Sequence, residues 1–129
     1  MKLIAVQPAG GPEVKGPYSP AVVCGNLVFV SGQGPVDPNT GAMVRGAAPE
    51  EFKVAINNVR IILEAAGSSL RNVLKVTLYL ADMGDFQAVN EAYRQCFTPP
   101  FPARTTIQAA RLPFDIKVEI DVVAHREQS

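Results

Sequence analysis

The chain has 129 residues, with 12 Lys plus Arg against 12 Asp plus Glu, one His, two Cys and no Trp, and 47% of it is hydrophobic. A chain of this length can bury roughly two-thirds of its unfolded surface, enough for one core without disulfide or metal support and too little for a second domain, so residues 1–129 read as one domain. Zero net charge argues against a protein that grips nucleic-acid backbones or a membrane surface, since both need surplus Lys and Arg.

The opening segment MKLIAVQPAGGPEVKG holds an apolar run of only four residues before Gln7-Pro8, too short for a signal peptide or a membrane span. Cys24 and Cys96 lack C-x-x-C spacing and His125 stands alone near the tail, so neither a disulfide framework nor a metal site is expected. A reducing, cytoplasmic setting fits best. Further along, Ala21 to Cys24 and Leu27 to Val30 flank Gly25-Asn26, a dipeptide able to supply the positive φ of a hairpin turn. Asp37-Pro38-Asn39-Thr40-Gly41 reads as a second turn. From Pro49 to Ala66 the period becomes helical, with Phe52, Ala55, Ile56, Val59, Ile62 and Leu63 on one stripe, Glu50 and Glu51 in the first turn and Gly67 as the stop. Val73 to Asp82 follows as a central strand, Asp85 is placed to cap a helix over Phe86 to Phe97, and Pro99-Pro100 ends it. Arg104 to Ala109 and Ile116 to Ala124 complete the order as two strands joined through RLPFD.

The pattern predicts an α/β (α+β) fold: a sheet of five to six strands with two helices on one face. Val22, Leu27, Phe29, Leu78, Leu80, Ile107, Ile120 and Val122 cannot all point at two helices. The surplus predicts burial of the second face against another subunit, with Pro/Gly-rich loops folding over it as the alternative.

Alternation places Lys117, Glu119 and Asp121 on one face of the last strand, and Arg104, Thr106 and Gln108 on one face of the strand before it. The two strands are expected to be adjacent and so to offer a guanidinium and a carboxylate on one face destined for burial. Such charges need a partner or a ligand. Two readings stay open: an Arg104–Glu119 ion pair at a subunit seam, or an Arg that receives a substrate carboxylate beside a Glu that handles water. Ser31 in VSGQGP lacks the G-x-S-x-G setting and a His partner, so no serine nucleophile is indicated. Gly32 is a candidate for close ligand approach through its backbone. Tyr18 and Asn90 read equally well as a packing aromatic and a surface helix residue.

GPYSPAVVCGNLVFVSGQGPVDPNTG together with PPFPARTTIQAARLPFDIKVEIDVVA resembles the RidA (YjgF/UK114) family of imine deaminases, over about Gly16 to Ala124. Its closing signature is Pro-Ala-Arg followed fifteen residues later by the Glu of an apolar–Glu–Ile triplet, and the SP…G…VSGQ opening is an independent match. The resemblance implies a chorismate-mutase-like fold and a homotrimer with active sites between subunits. The implied activity is hydrolysis of imines such as 2-iminopropanoate, the tautomer of 2-aminoacrylate, to 2-oxo acids and ammonia without any cofactor. Residue by residue, it implies Arg104 as the carboxylate binder and Glu119 as the residue that orients or activates water. Tyr18, Ser31, Gly32, Asn90 and Thr106 complete the implied substrate-binding set. Many members carry Cys where this chain has Thr106, so thiol-dependent chaperone behaviour of some members is not implied here. Phe101 and Phe114 are candidates for shaping side-chain preference. Two other functions compete: a small 2-oxo-acid-binding sensor without turnover, and the endoribonuclease or translation-inhibitor role given to some members, which neutral charge and a lone tail His disfavour.

Overall fold

A computed structural model of the chain describes residues 2–127. It contains one six-stranded sheet formed by β1 (Leu3–Val6), β2 (Ala21–Cys24), β3 (Leu27–Gln33), β4 (Val73–Leu80), β5 (Ala103–Gln108) and β6 (Val118–His125). The spatial order is β1-β2-β3-β6-β4-β5. Only β4 and β5 run parallel; every other neighbouring pair is antiparallel. Helices α1 (Ala48–Ala65) and α2 (Phe86–Arg94) pack on one face.

Local chemistry accounts for the elements. The β2–β3 hairpin turns on Gly25, whose φ of 61° carries the left-handed step alone. The next turn is closed by Asp37, whose carboxylate accepts the backbone N–H groups of Asn39 (2.8 Å) and Thr40 (3.3 Å), while Gly41 takes a φ of 76°. α1 starts at a first-turn Pro49 and ends in a Schellman arrangement: Ser68 N–H reaches Leu63 O at 2.8 Å, Gly67 N–H reaches Glu64 O at 3.2 Å, and Gly67 has φ 81°. Its buried stripe of Phe52, Ala55, Ile56, Val59, Ile62 and Leu63 is the one the sequence predicts. It faces Val28 and Val30 of β3, Val76, Leu78 and Leu80 of β4, and Val118, Ile120 and Val122 of β6. Each fully buried aliphatic or aromatic side chain in this layer contributes about 1.5–3 kcal/mol.

Three local expectations need correction. β1, at the sheet edge beside β2, is an element the sequence reading did not foresee, because four residues are too few to show a period. α2 stops at Arg94 rather than Phe97. Asp85 makes no side-chain cap; Asp82 does the capping, accepting Gly84 N–H at 2.8 Å in the single 3-10 turn that leads into α2.

The most consequential correction concerns the last two strands, which are not neighbours. The β4–α2–β5 segment is a crossover: α2 carries the chain back along the sheet, so that β5 runs parallel to β4 and takes the edge beside it. β6 then inserts between β3 and β4.

The second sheet face carries no helix. Phe29 (47% exposed) and Ile107 (43%) lie there, with Val22, Tyr79 and Val123 beside them in register. The Pro/Gly-rich segments do not cover this apolar surface. No helix among the described residues is long and apolar enough to cross a membrane.

Candidate functional site

The residues singled out by sequence fall into two groups on opposite faces of the sheet. Thr106 pairs in register with Leu78, which is buried under the helices, so Arg104 and Thr106 point to the helix side. Glu119 pairs with Tyr79 and alternates with buried Val118 and Ile120, so it points to the open side. An Arg104–Glu119 ion pair within one chain is therefore excluded by strand parity, and the ion pairs among the described residues are Arg60–Glu64 and Arg111–Asp115.

On the open side, a bulge between Val30 and Gln33 breaks the β3–β6 register, and within it Gly32 lies against Glu119. A Cβ on Gly32 would lie 2.3 Å from Glu119 Oε2, so glycine is required for the carboxylate to sit where it does. Ser31 is held by its own loop: its hydroxyl donates to Ser19 O at 2.7 Å and its N–H to Pro20 O at 2.9 Å, which fixes the segment bearing Tyr18. Glu119 is half-buried, and burial, followed by the neighbouring Asp121 carboxylate, pushes its pKa above the ordinary carboxylate range. Asp121 in turn accepts the Tyr79 hydroxyl at 2.8 Å, a bond that raises the phenol to about 12. Tyr18, Gly32, Phe114, Ile116 and Glu119 line a cleft of ≈ 110 Å³, well below the ~300–1,000 Å³ of complete ligand pockets.

Two buried polar side chains of α1 hold loop and strand backbone nearby, Asn58 at the cleft-lining Gly34 and Val36, and sequence reasoning missed them. Glu51, read from sequence as a dipole-facing charge, is 2% exposed and accepts Lys117 N–H at 2.7 Å and Gly46 N–H at 3.3 Å. Asn58 donates to Gly34 O (3.2 Å) and Val36 O (2.7 Å). The available signal was their place on the apolar stripe, where a polar residue must find backbone partners.

On the helix side, the Arg104 guanidinium lies over the rings of Tyr93 (4.6 Å to the centroid) and Phe86 (5.7 Å). Phe86, Asn90 and Tyr93 share one face of α2 at helical spacing. Asn90 Oδ1, Tyr93 OH and Thr106 Oγ1 are all buried without a hydrogen-bond partner. Unsatisfied polar groups are uncommon in folded interiors. Here three occur on the side of the sheet where the half-buried Arg104 lies. Tyr93 was missed because its position in the stripe reads as core. Its burial, opposed in part by Arg104, holds its phenol above the ordinary value.

No group of three or more His, Cys, Asp or Glu that could hold a metal occurs among the described residues. His125 ends β6 opposite Leu27, outside the residues lining the cleft.

Residues 9–126 match the family model described as Endoribonuclease L-PSP. The human 2-iminobutanoate/2-iminopropanoate deaminase is 44% identical over 119 residues, covering 92% of this chain and 87% of that protein. RidA from an Antarctic Psychrobacter bacterium superposes with a TM-score of 0.91 at 36% identity, covering 95% of this chain and 98% of that one. E. coli TdcF, solved with bound serine, superposes with a TM-score of 0.89 at 36% identity, covering 96% and 99%.

Proposed function

This chain belongs to the endoribonuclease L-PSP family, the RidA family of imine deaminases, and from that premise we propose that it hydrolyses 2-iminopropanoate-type intermediates to 2-oxo acids and ammonia. The observation that carries this reading is the division of the site. A guanidinium without a carboxylate partner lies on one face of the sheet and a carboxylate beside a glycine bulge on the other, so neither half is a site alone. A homotrimer of single-domain chains completes both halves. Its seam covers the apolar open face around Phe29 and Ile107 and sets Arg104, Asn90 and Thr106 of one subunit against Tyr18, Ser31, Gly32 and Glu119 of the next.

The chemistry follows from these groups. The Arg104 fork accepts the substrate carboxylate bidentately, and the ring beneath it fixes the plane of that pairing. Serine, the molecule bound to TdcF, carries a carboxylate and a nitrogen on adjacent carbons, as a 2-imino acid does. Glu119 holds a water and takes its proton as the oxygen bonds to the imine carbon, giving a tetrahedral carbinolamine. Glu119 delivers that proton to nitrogen and then relays the carbinolamine hydroxyl proton to the same nitrogen as the C=O bond forms, so that the C–N bond breaks and ammonia leaves with the 2-oxo acid behind. The raised pKa of Glu119 suits both transfers, because a carboxyl closer to neutrality gives and takes a proton more evenly. The imine is already electrophilic, so orientation and one acid–base group suffice, and no cofactor is called for.

The test is ammonia and pyruvate release from enzymatically generated 2-aminoacrylate in purified protein. Acceleration over buffer, lost in Arg104→Ala, is the expected result. Binding of 2-oxobutanoate without acceleration would make the chain a sensor. RNA cleavage lost in Glu119→Ala, with no imine turnover, would make it a nuclease.

A further inference from the structure

The turn between β5 and β6 holds a conformation that its sequence does not favour. Phe114 (φ 59°, ψ 18°) and Asp115 (φ 54°) are consecutive left-handed residues with side chains, the only non-glycine positions of positive φ among the described residues. For a bulky residue this region is an outlier, and it persists only where the surroundings over-determine it. Here they do so twice. Arg45 Nη2 donates to Phe114 O at 2.8 Å, across 69 residues of sequence, and Arg111 forks onto Asp115 at 2.9 and 3.3 Å. What this double tether presents is an apolar ring, 58% exposed, on the wall of the Glu119 cleft. Val36, Met43, Pro113 and Ile116 extend the same wall, and Asn58 anchors the backbone at Val36. The cleft lining is thus mixed: these apolar side chains share it with Lys15 and Glu13 of the N-terminal segment.

We propose that Phe114 is a specificity-determining residue: held in the left-handed turn, its ring forms the subsite for the substrate side chain and selects imines of 2-oxo acids with unbranched or branched apolar side chains longer than methyl. The inference rests on the deaminase reading and narrows its substrate class. Each methylene removed from water against such a wall favours binding by roughly fourfold. Preference therefore climbs from the alanine-derived imine through the 2-aminobutyrate- and norvaline-derived imines to the leucine-derived one, and the glutamate-derived imine is poor.

The experiment compares kcat/KM across these five imines, generated in situ by an amino-acid oxidase, for wild type, Phe114→Ala and Phe114→Leu. Alanine and leucine share the left-handed strain of phenylalanine, whereas glycine would relax the turn, so these variants alter the wall and not the backbone. In Phe114→Ala we expect the norvaline- and leucine-derived imines to lose about tenfold while the alanine-derived imine changes by less than about twofold; Phe114→Leu should keep most of the gradient. The same series of 2-oxo acids is titrated by calorimetry, so that a chain-length gradient in affinity, lost in Phe114→Ala, supports the subsite even if no imine is turned over. An equal loss for every side chain, subunit dissociation in Phe114→Ala, or a wild type with no chain-length gradient in either measurement overturns it.

Discussion

The two faces of the sheet carry polar groups built in opposite ways. On the open face, Glu119 is set by its own chain: a bulge, a glycine that leaves it room, and an Asp121 whose oxygen is held by Tyr79. On the helix face, Arg104 is set by packing alone, on two aromatic rings, and the hydroxyls and amide oxygen around it have no partner. A group that handles protons must have its environment fixed before substrate arrives, since its pKa depends on it. A group that receives an anion must keep its donors free until the anion comes. In the proposed reaction, the acid–base task falls to one face and recognition to the other.

The strongest way to break this comparison is to put the halves on different chains. Arg104→Ala and Glu119→Gln should each abolish imine hydrolysis. Mixed, dissociated and reassembled, they should recover about a quarter of wild-type activity, as random assortment of subunits dictates for sites made from two chains. No recovery from properly reassembled mixtures, measured by ammonia release, would refute the shared site.

Next in size is Gly32→Ala. The added methyl meets the flexible end of Glu119 rather than backbone, so the fold should survive while the carboxylate is displaced. A shift of that order costs about 10²-fold in kcat, with thermal stability unchanged and KM little altered. Equal losses in KM and stability would place the effect in folding instead.

Asp121→Asn sharpens the same face through pH. Asp121 raises the pKa of Glu119, so its removal makes deprotonation easier and should move the acid limb of the kcat/KM profile to lower pH. An unchanged acid limb would mean that another group controls it.

The smallest effect belongs to the recognition face. Thr106→Val replaces a hydroxyl that has no partner in the chain, so the thermal midpoint should hold or rise. If the hydroxyl awaits the ligand, the Kd for 2-oxobutanoate should weaken by only a few-fold, the value of one neutral hydrogen bond.

Both helices, five of the six strands and the inward stripe of α1 were legible because each rests on a local rule: a 3.6 or 2 residue period, Pro at a helix start, Gly after its end. Alternation grouped Arg104 with Thr106 and Glu119 with Asp121, but the expectation that Arg104 and Glu119 share a face failed, because β4 lies between their strands and no local pattern carries that order. β1 and the capping role of Asp82 were not legible, since a four-residue edge strand and a 3-10 cap leave too short a trace. Glu51 and Asn58 were hidden for another reason: their partners, Lys117 and Val36, lie 66 and 22 residues away.

Sequence by itself determined both helices, five of the six strands, the apolar surplus on the second sheet face and, through the Pro-Ala-Arg and apolar–Glu–Ile motifs, the family. Only the tertiary structure decided how the motifs meet. Strand adjacency is set by the β4–α2–β5 crossover, a long-range packing choice that no single strand encodes. That crossover inserts β4 between β5 and β6 and turns Arg104 and Glu119 to opposite faces. Because side chains alternate across a sheet, two residues grouped together by sequence lie on opposite faces, unable to meet within one chain.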